Sequence, residues 1–591
     1  MQIKKHPLWL AGCIVSCAPL MAHGQNLTKL NQEIENYTPV TQERLESADP
    51  KDWLHARGRY EGWMYSELDQ INSRNIRNLR PVWTYATNLD SGHQAPAMVN
   101  DGVMFVSTPY NHVIALDART GQLFWRYQHD NPSDLSVMHN TNRGVALWDD
   151  KVVLASLDGK INILNAKDGQ RICQYDVGDW RVGAYITSAP VVVKGQAMVG
   201  PSGGEFGVRG FLESVDVSTC KPVWKTYSVP GPGQAGHETW KAEGVRPDAW
   251  KYGGGSMWLP GNYDADTGVL YWGVGNGSPW LGDQRPGDNL YLASVLAMNA
   301  ADGDIRGHFQ YHWNDSWDWA GMSAPMLVDF EDGRKQVTGL LTPQRNGYLY
   351  WLEREQSGEI SYVAGIPYVY NNAFKSLDSK TGRPTYNEEH KPVTGKRVSY
   401  CPSLWGGKNY PYAAYNPKTG MIYIPSNDNV CNSFIGIVQE DVEPLSGQFW
   451  AGIDIPDLEV YVKDKDKSVG VMQAWDVNKR EVVWTHEFGH TMTWGSTLTT
   501  AGNLVFSAGT NDRMLRAFDA KTGEIVWEYP LPSTAIAPPT SYTVDGKQYI
   551  AVVAGYGVDA AWTNSVLSGQ DERWISDVPE GGTIYVFALP D

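Results

Sequence analysis

Basic side chains are in short supply: 49 Lys and Arg stand against 66 Asp and Glu, for a net charge of −17. So acidic a chain lacks the basic face that nucleic acid requires. Cysteine is scarce as well, at six residues, and no C-x-x-C-H occurs, so no c-type haem is attached to this chain. No run is apolar for long enough to span a membrane stably, and no low-complexity tract is present. The acidic surface suits a basic soluble partner, or serves solubility alone.

The longest approach to an apolar run opens the chain, as MQIKKHPLWLAGCIVSCAPLMAHGQN. Lys4 and Lys5 precede it, and Ala22-His23-Gly24 offers a small-x-small cleavage site, so residues 1–24 read as a secretory signal. Leu10-Ala11-Gly12-Cys13 has the look of a lipoprotein box, but too little apolar sequence precedes it. The mature chain is expected in the periplasm. Cleavage leaves four Cys in an oxidising compartment. Cys401 and Cys431 are expected to form one bridge. Cys173 and Cys220 form either a second bridge or two buried thiols.

What the chain has in excess is tryptophan, with 25, and glycine, with 60. Both belong to a recurring phrase. Ala517–Trp527 reads AFDAKTGEIVW: two alternating strands joined by a turn, with Gly523 at the φ > 0 position. ALDARTGQLFW (Ala115–Trp125), NYDADTGVLYW (Asn262–Trp272), SVDVSTCKPVW (Ser214–Trp224) and AWDVNKREVVW (Ala474–Trp484) repeat it. Weaker copies lie at Ile163–Cys173, Ala297–Gly307, Ser376–Tyr386 and Ala414–Ile424. Spacings of about 45–50 residues match one four-stranded propeller blade. The sequence therefore predicts an all-β, eight-bladed β-propeller with tryptophan docking motifs, residues 25–591 forming a single domain. Most indoles are read as scaffold. Val82–Ala86 should open the ring and Thr583–Leu589 close it, after an irregular lead-in anchored by Trp53, Tyr60 and Trp63. The stretches Gly231–Trp250 and Gln439–Ser468 break the rhythm, as long loops that carry function or contacts do.

Four glycine-rich polar stretches fall outside the phrase: PSGGEFGVRG (Pro201–Gly210), DAWKYGGGSMW (Asp248–Trp258), GVGNGSPW (Gly273–Trp280) and WNDSWDWAG (Trp313–Gly321). Each alone is an ordinary turn. Together they offer Glu, Asn and Asp oxygens, the donors a hard cation such as Ca²⁺ takes, beside a flat indole.

On these stretches, with Arg285-Pro-Gly-Asp-Asn, Arg345-Asn-Gly and Cys401-Pro-Ser, the chain resembles the soluble pyrroloquinoline quinone (PQQ)-dependent alcohol dehydrogenases of the methanol/ethanol dehydrogenase family, over nearly its whole mature length. The resemblance implies oxidation of an alcohol to an aldehyde or ketone, with PQQ and Ca²⁺ as cofactors and a soluble cytochrome c as acceptor; a homodimer stays open. It implies that Glu205, Asn276 and Asp318 hold the metal and that Asp318 is the general base. Arg345 matches the cation beside the reactive quinone oxygens, and Trp258 the indole under the cofactor. Arg143, Thr187, Ser202, Gly203, Gly204, Ser256, Asn409 and Trp494 match further cofactor contacts. Ala320 stands where lanthanide-using relatives carry an additional Asp, which favours calcium.

Two departures bear on substrate range. Where the family commonly places adjacent Cys against the cofactor, this chain has Val137-Met138-His139-Asn140-Thr141-Asn142. His139 there is either a packing or surface residue or an added polar group. His93-Gln94 stands where the family usually has a Glu. Sugar or polyol oxidation on the same cofactor, and a non-catalytic propeller scaffold, are the rival readings. Gly555–Pro579, with Tyr556, Trp562 and Trp574, is expected over the entrance.

Overall fold

The computed structural model describes residues 33–241, 246–323 and 325–591. The reading of residues 1–24 as a signal lies outside them. The described chain is almost wholly strands and turns, with two short α-helices, Gln42–Glu46 and Val558–Ser568. No helix among the described residues is long and apolar enough to cross a membrane.

Seven four-stranded sheets and one five-stranded sheet carry the architecture, four of them built from four consecutive strands. The fifth strand comes from the lead-in, where Tyr65–Ser66 pairs in parallel with Leu498–Thr500. Arg80–Ala86, from the start of the chain, pairs antiparallel with Thr583–Ala588 from its end, so one sheet is shared by both termini. That pairing removes a free edge at each end.

Each sheet leans on the next through the turn between its neighbour's last two strands. Trp83, Trp125, Trp224 and Trp484 donate their indole N–H to Ala118, Ala166, Ala300 and Ala520. In each case the ring lies on the turn glycine: Gly121, Gly169, Gly303 or Gly523. Gly523, at φ +75°, shows why the residue is glycine, because a Cβ there would sit 2.6 Å from the Trp484 ring. At one junction indole and glycine are both absent, and a disulfide between Cys173 and Cys220 spans the same place. Cys401 and Cys431 are also bridged. Elsewhere Gly307 abuts Gly358, Trp351 donates to Val477, and Trp527 packs edge-on against Phe587.

The repeated phrase marks more than one kind of hairpin. At Ala115–Trp125, Ser214–Trp224 and Ala517–Trp527 it joins the last two strands of a sheet. At Asn262–Trp272 and Ala414–Ile424 it joins the first two. Ser376–Tyr386 forms a separate two-stranded sheet. The turn chemistry fixes a hairpin, and packing decides which hairpin of the sheet it becomes.

The lead-in is tied down at several sheets. Trp53 N–H bonds Val99, the Tyr60 hydroxyl bonds Val192 and the Trp63 indole bonds Leu327.

Candidate active site

The four glycine-rich stretches converge on one cavity of about 350 Å³. Their backbones are bent to reach it. Gly203 takes φ +82°, and a Cβ there would sit 1.8 Å from the Gly183 carbonyl oxygen, so only glycine fits. The turn Gly204–Phe206 follows and turns Glu205 inward; the Glu205 carbonyl is fixed by the Trp450 N–H at 2.6 Å. Asn276 gives its amide N–H to Glu205 Oε1 at 3.2 Å, which leaves its carbonyl oxygen as a donor to a cation.

Asp318 is the third oxygen donor. It is buried and held at φ +65°, a conformation non-glycine residues seldom take. Asp315 holds it there: its Oδ1 accepts the backbone N–H groups of Trp317 and Trp319, both at 3.3 Å, and pairs with His312 Nε2 at 3.0 Å. Burial pushes the Asp318 carboxyl well above the usual carboxylate range; Arg345 opposes this, while Glu205, Asp315 and Asp559 add to it. Its Oδ1 is buried without a partner, and its Oδ2 lies 3.5 Å from Arg345 Nη2.

Across the cavity, Arg143 bonds Thr187 Oγ1, which in turn sits 2.7 Å from Ser202 Oγ. The Arg143 guanidinium stands 4.8 Å from the centre of the Trp258 ring and 5.3 Å from that of Tyr410. Four further polar atoms of lining residues are buried without a partner: Arg143 Nε, Trp280 Nε1, Arg345 Nε and Asn409 Oδ1. Together with Asp318 Oδ1 they turn both charge signs toward one space.

Of the residues expected at the site, Arg143, Thr187, Ser202, Gly203, Glu205, Ser256, Trp258, Asn276, Asp318, Arg345 and Asn409 line this cavity. Gly204 and Trp494 stand behind the lining. Gly204 backs onto Ser256, and Trp494 packs against Trp405 and Tyr410. His93 and Gln94 are buried and are not among the lining residues; His93 sits between Thr87 and the Ser91 carbonyl. The helix Val558–Ser568 covers one side and brings Trp562 to 5.2 Å from Trp405. It also brings Asp559, which sequence reasoning missed, to within 3.2 Å of His139 in the cavity wall. Among the described residues no cluster of three His, Cys, Asp or Glu offers another metal site.

A family model described as glucose/ethanol/alcohol dehydrogenase, β-propeller domain, of the PQQ class matches residues 53–367 and 369–550. The chain is 33% identical to the quinoprotein alcohol dehydrogenase PedH of Pseudomonas putida, over 99% of its own length and 97% of that protein. It is 34% identical to methanol dehydrogenase (cytochrome c) subunit 1 of Methylorubrum extorquens, over 86% of this chain and 85% of that one. Among solved structures, a europium-containing methanol dehydrogenase superposes with a TM-score of 0.84 at 31% identity, covering 93% of this chain and all of its own. The fold is thus an all-β propeller, and the chain belongs to the PQQ β-propeller family of glucose, ethanol and alcohol dehydrogenases.

Proposed function

We propose that this chain is a PQQ- and Ca²⁺-dependent alcohol dehydrogenase that oxidises an alcohol to an aldehyde or ketone and passes the electrons to a soluble cytochrome c. The observation that carries this reading is the set of bare polar atoms around one cavity: Asp318 Oδ1, Arg143 Nε, Trp280 Nε1, Arg345 Nε and Asn409 Oδ1. A buried polar group without a partner costs about 1–3 kcal/mol, a cost that a ligand reaching these atoms would relieve. PQQ, a planar ring system bearing three carboxylates, fits that chemistry, and the cavity volume lies in the range of small-molecule sites.

Arg143, Thr187, Ser202, Gly203 and Gly204 would hold the cofactor's carboxylates and carbonyls, with Ser256, Asn409 and Trp494 supporting them. Trp258 offers its aromatic face. Glu205, Asn276 and Asp318 make an all-oxygen donor set, which suits Ca²⁺. Ala320 adds no further carboxylate, which favours calcium over a trivalent ion. When bound, PQQ supplies a two-electron acceptor and the cation a Lewis acid.

The chain's own residues manage the proton and the charge. A cation held by Glu205, Asn276 and Asp318 would counter the effect of burial, so that the Asp318 carboxylate stays ionised and takes the alcohol's hydroxyl proton. Arg345 supplies fixed positive charge next to that carboxylate. The surrounding indoles and aliphatic side chains make much of the lining apolar. The eight sheets are read as eight blades of one ring, residues 25–591 as one unit, and residues 1–24 as the signal that delivers it to the periplasm.

Reconstitution tests the reading. Purified protein given PQQ and Ca²⁺ should reduce an artificial dye with alcohols faster than with sugars or polyols. Turnover of sugars alone would replace the substrate class, and no turnover of any kind would leave only a scaffold.

A further inference from the structure

Part of the cavity wall is mostly indole and aliphatic, with one exception. Asp559 and His139 face each other there, Nε2 to Oδ1 at 3.2 Å, with side chains 23% and 22% exposed. The helix bearing Asp559 does not need this pair to dock. Ala560 and Leu567 are buried beneath it, Tyr556 bonds the Ala560 carbonyl at 2.8 Å, and Asn564 is bonded by Asn511 at 2.6 Å. Burial alone would push the Asp559 carboxyl up, but His139, with Arg345 and Arg143 beyond it, holds it below its ordinary value. The carboxylate is therefore charged, and it keeps acceptor capacity beyond its contact with His139.

A substrate that reaches Asp318 through this cavity must lie along Asp559 or leave it wet. A plain alkyl chain strips water from the carboxylate and returns no hydrogen bond. A chain with a donor at that point replaces what it displaces, and sites built this way discriminate strongly against analogues lacking the donor. A chain ending in a carboxylate meets like charge. We propose that Asp559, oriented by His139, is a specificity subsite that selects alcohols carrying a second hydrogen-bond donor, a hydroxyl or an amine, and turns away alcohols carrying a carboxylate. This rests on the alcohol dehydrogenase reading of the same cavity.

The test uses holoenzyme loaded with PQQ and Ca²⁺ and four primary alcohols of equal carbon count: the plain alkanol, the terminal diol, the amino alcohol and the hydroxy acid. The wild type should show kcat/KM at least about tenfold higher for the diol and the amino alcohol than for the alkanol, with the hydroxy acid lowest. Asp559→Leu should bring the diol and amino-alcohol ratios to within about twofold of unity and raise the hydroxy acid relative to the alkanol. Asp559→Asn, which keeps the size and loses the charge, should lose the amino-alcohol preference and retain that for the diol. Retained PQQ absorbance and an unchanged melting profile in Asp559→Asn exclude a folding defect. Brisk turnover of all four substrates with flat ratios in the wild type overturns this inference and leaves the parent reading standing. So do wild-type ratios that survive Asp559→Leu. Turnover of none by the wild type overturns both.

Discussion

Arg345 stands beside Asp318 without saturating it. Its Nη2 lies 3.5 Å from Asp318 Oδ2, while its shorter bond, 2.7 Å, goes to the Leu404 carbonyl. The backbone thus anchors the guanidinium, and its Nε remains for a ligand. Lysine would carry the same charge on a single nitrogen, without the planar fork and the Nε donor of the guanidinium. Arg345→Lys should keep PQQ bound while kcat falls about 10²–10³-fold, read from steady-state dye reduction. A kcat equal to wild type would remove Arg345 from the chemistry.

Asp315 governs the backbone on either side of Asp318, the proposed base. Asp315→Ala leaves the buried N–H groups of Trp317 and Trp319 unpaired, at about 1–3 kcal/mol each, and frees Asp318 to leave φ +65°. Turnover should drop about 10²-fold through misplacement of the carboxylate, with the melting temperature lowered and bound PQQ still visible by absorbance. Unchanged turnover would show that Asp318 holds its position unaided.

Glu205, Asn276 and Asp318 stood out in the sequence because each sits in a glycine-bearing polar stretch outside the repeat, whereas Arg143, Thr187, Arg345 and Asn409 came from the family resemblance alone. Asp559 had no such mark: it lies on a short helix, and its partner His139 belongs to a distant loop that only the fold brings near. Likewise Asn262–Trp272 and Ala517–Trp527 read alike, since local sequence encodes a turn but not the place of its hairpin within a sheet. The strand pairing between Arg80–Ala86 and Thr583–Ala588 was legible for a different reason, because a closed ring admits no unpaired end.

Lys408 is buried, bonded to Ser323 Oγ at 3.1 Å and to the Asn409 carbonyl at 3.0 Å, and burial lowers its pKa from 10.5 to about 7. Between those values the unfolded chain holds the proton and the folded chain does not, so this group makes stability rise with pH across that window. Lys408→Met should remove the rise. The difference between the two proteins should then grow by about 1.4 kcal/mol per pH unit, read from urea midpoints at a series of pH values. Parallel stability curves would mean that Lys408 stays charged in the fold.

The Cys173–Cys220 bridge closes a sequence separation of 47 at the junction where neighbouring sheets use indole on glycine. Replacing both with Ser should cost about 4 kcal/mol by loop-closure entropy. Cys220 sits at φ +55°, the region its glycine counterparts occupy. Cys173→Trp with Cys220→Gly should therefore recover most of the loss in a urea titration, now independent of reductant. A double variant no more stable than the Ser pair would show that this junction cannot accept an indole.

The most direct test compares wild type with Asp318→Asn, both loaded with PQQ and Ca²⁺, for cofactor absorbance and alcohol-dependent dye reduction. The expected result is bound PQQ in both and turnover in the wild type alone, with kcat of the variant down by about 10³-fold or more. Full activity in Asp318→Asn would contradict the assignment of this carboxylate as the base, and with it the proposed reaction at this cavity.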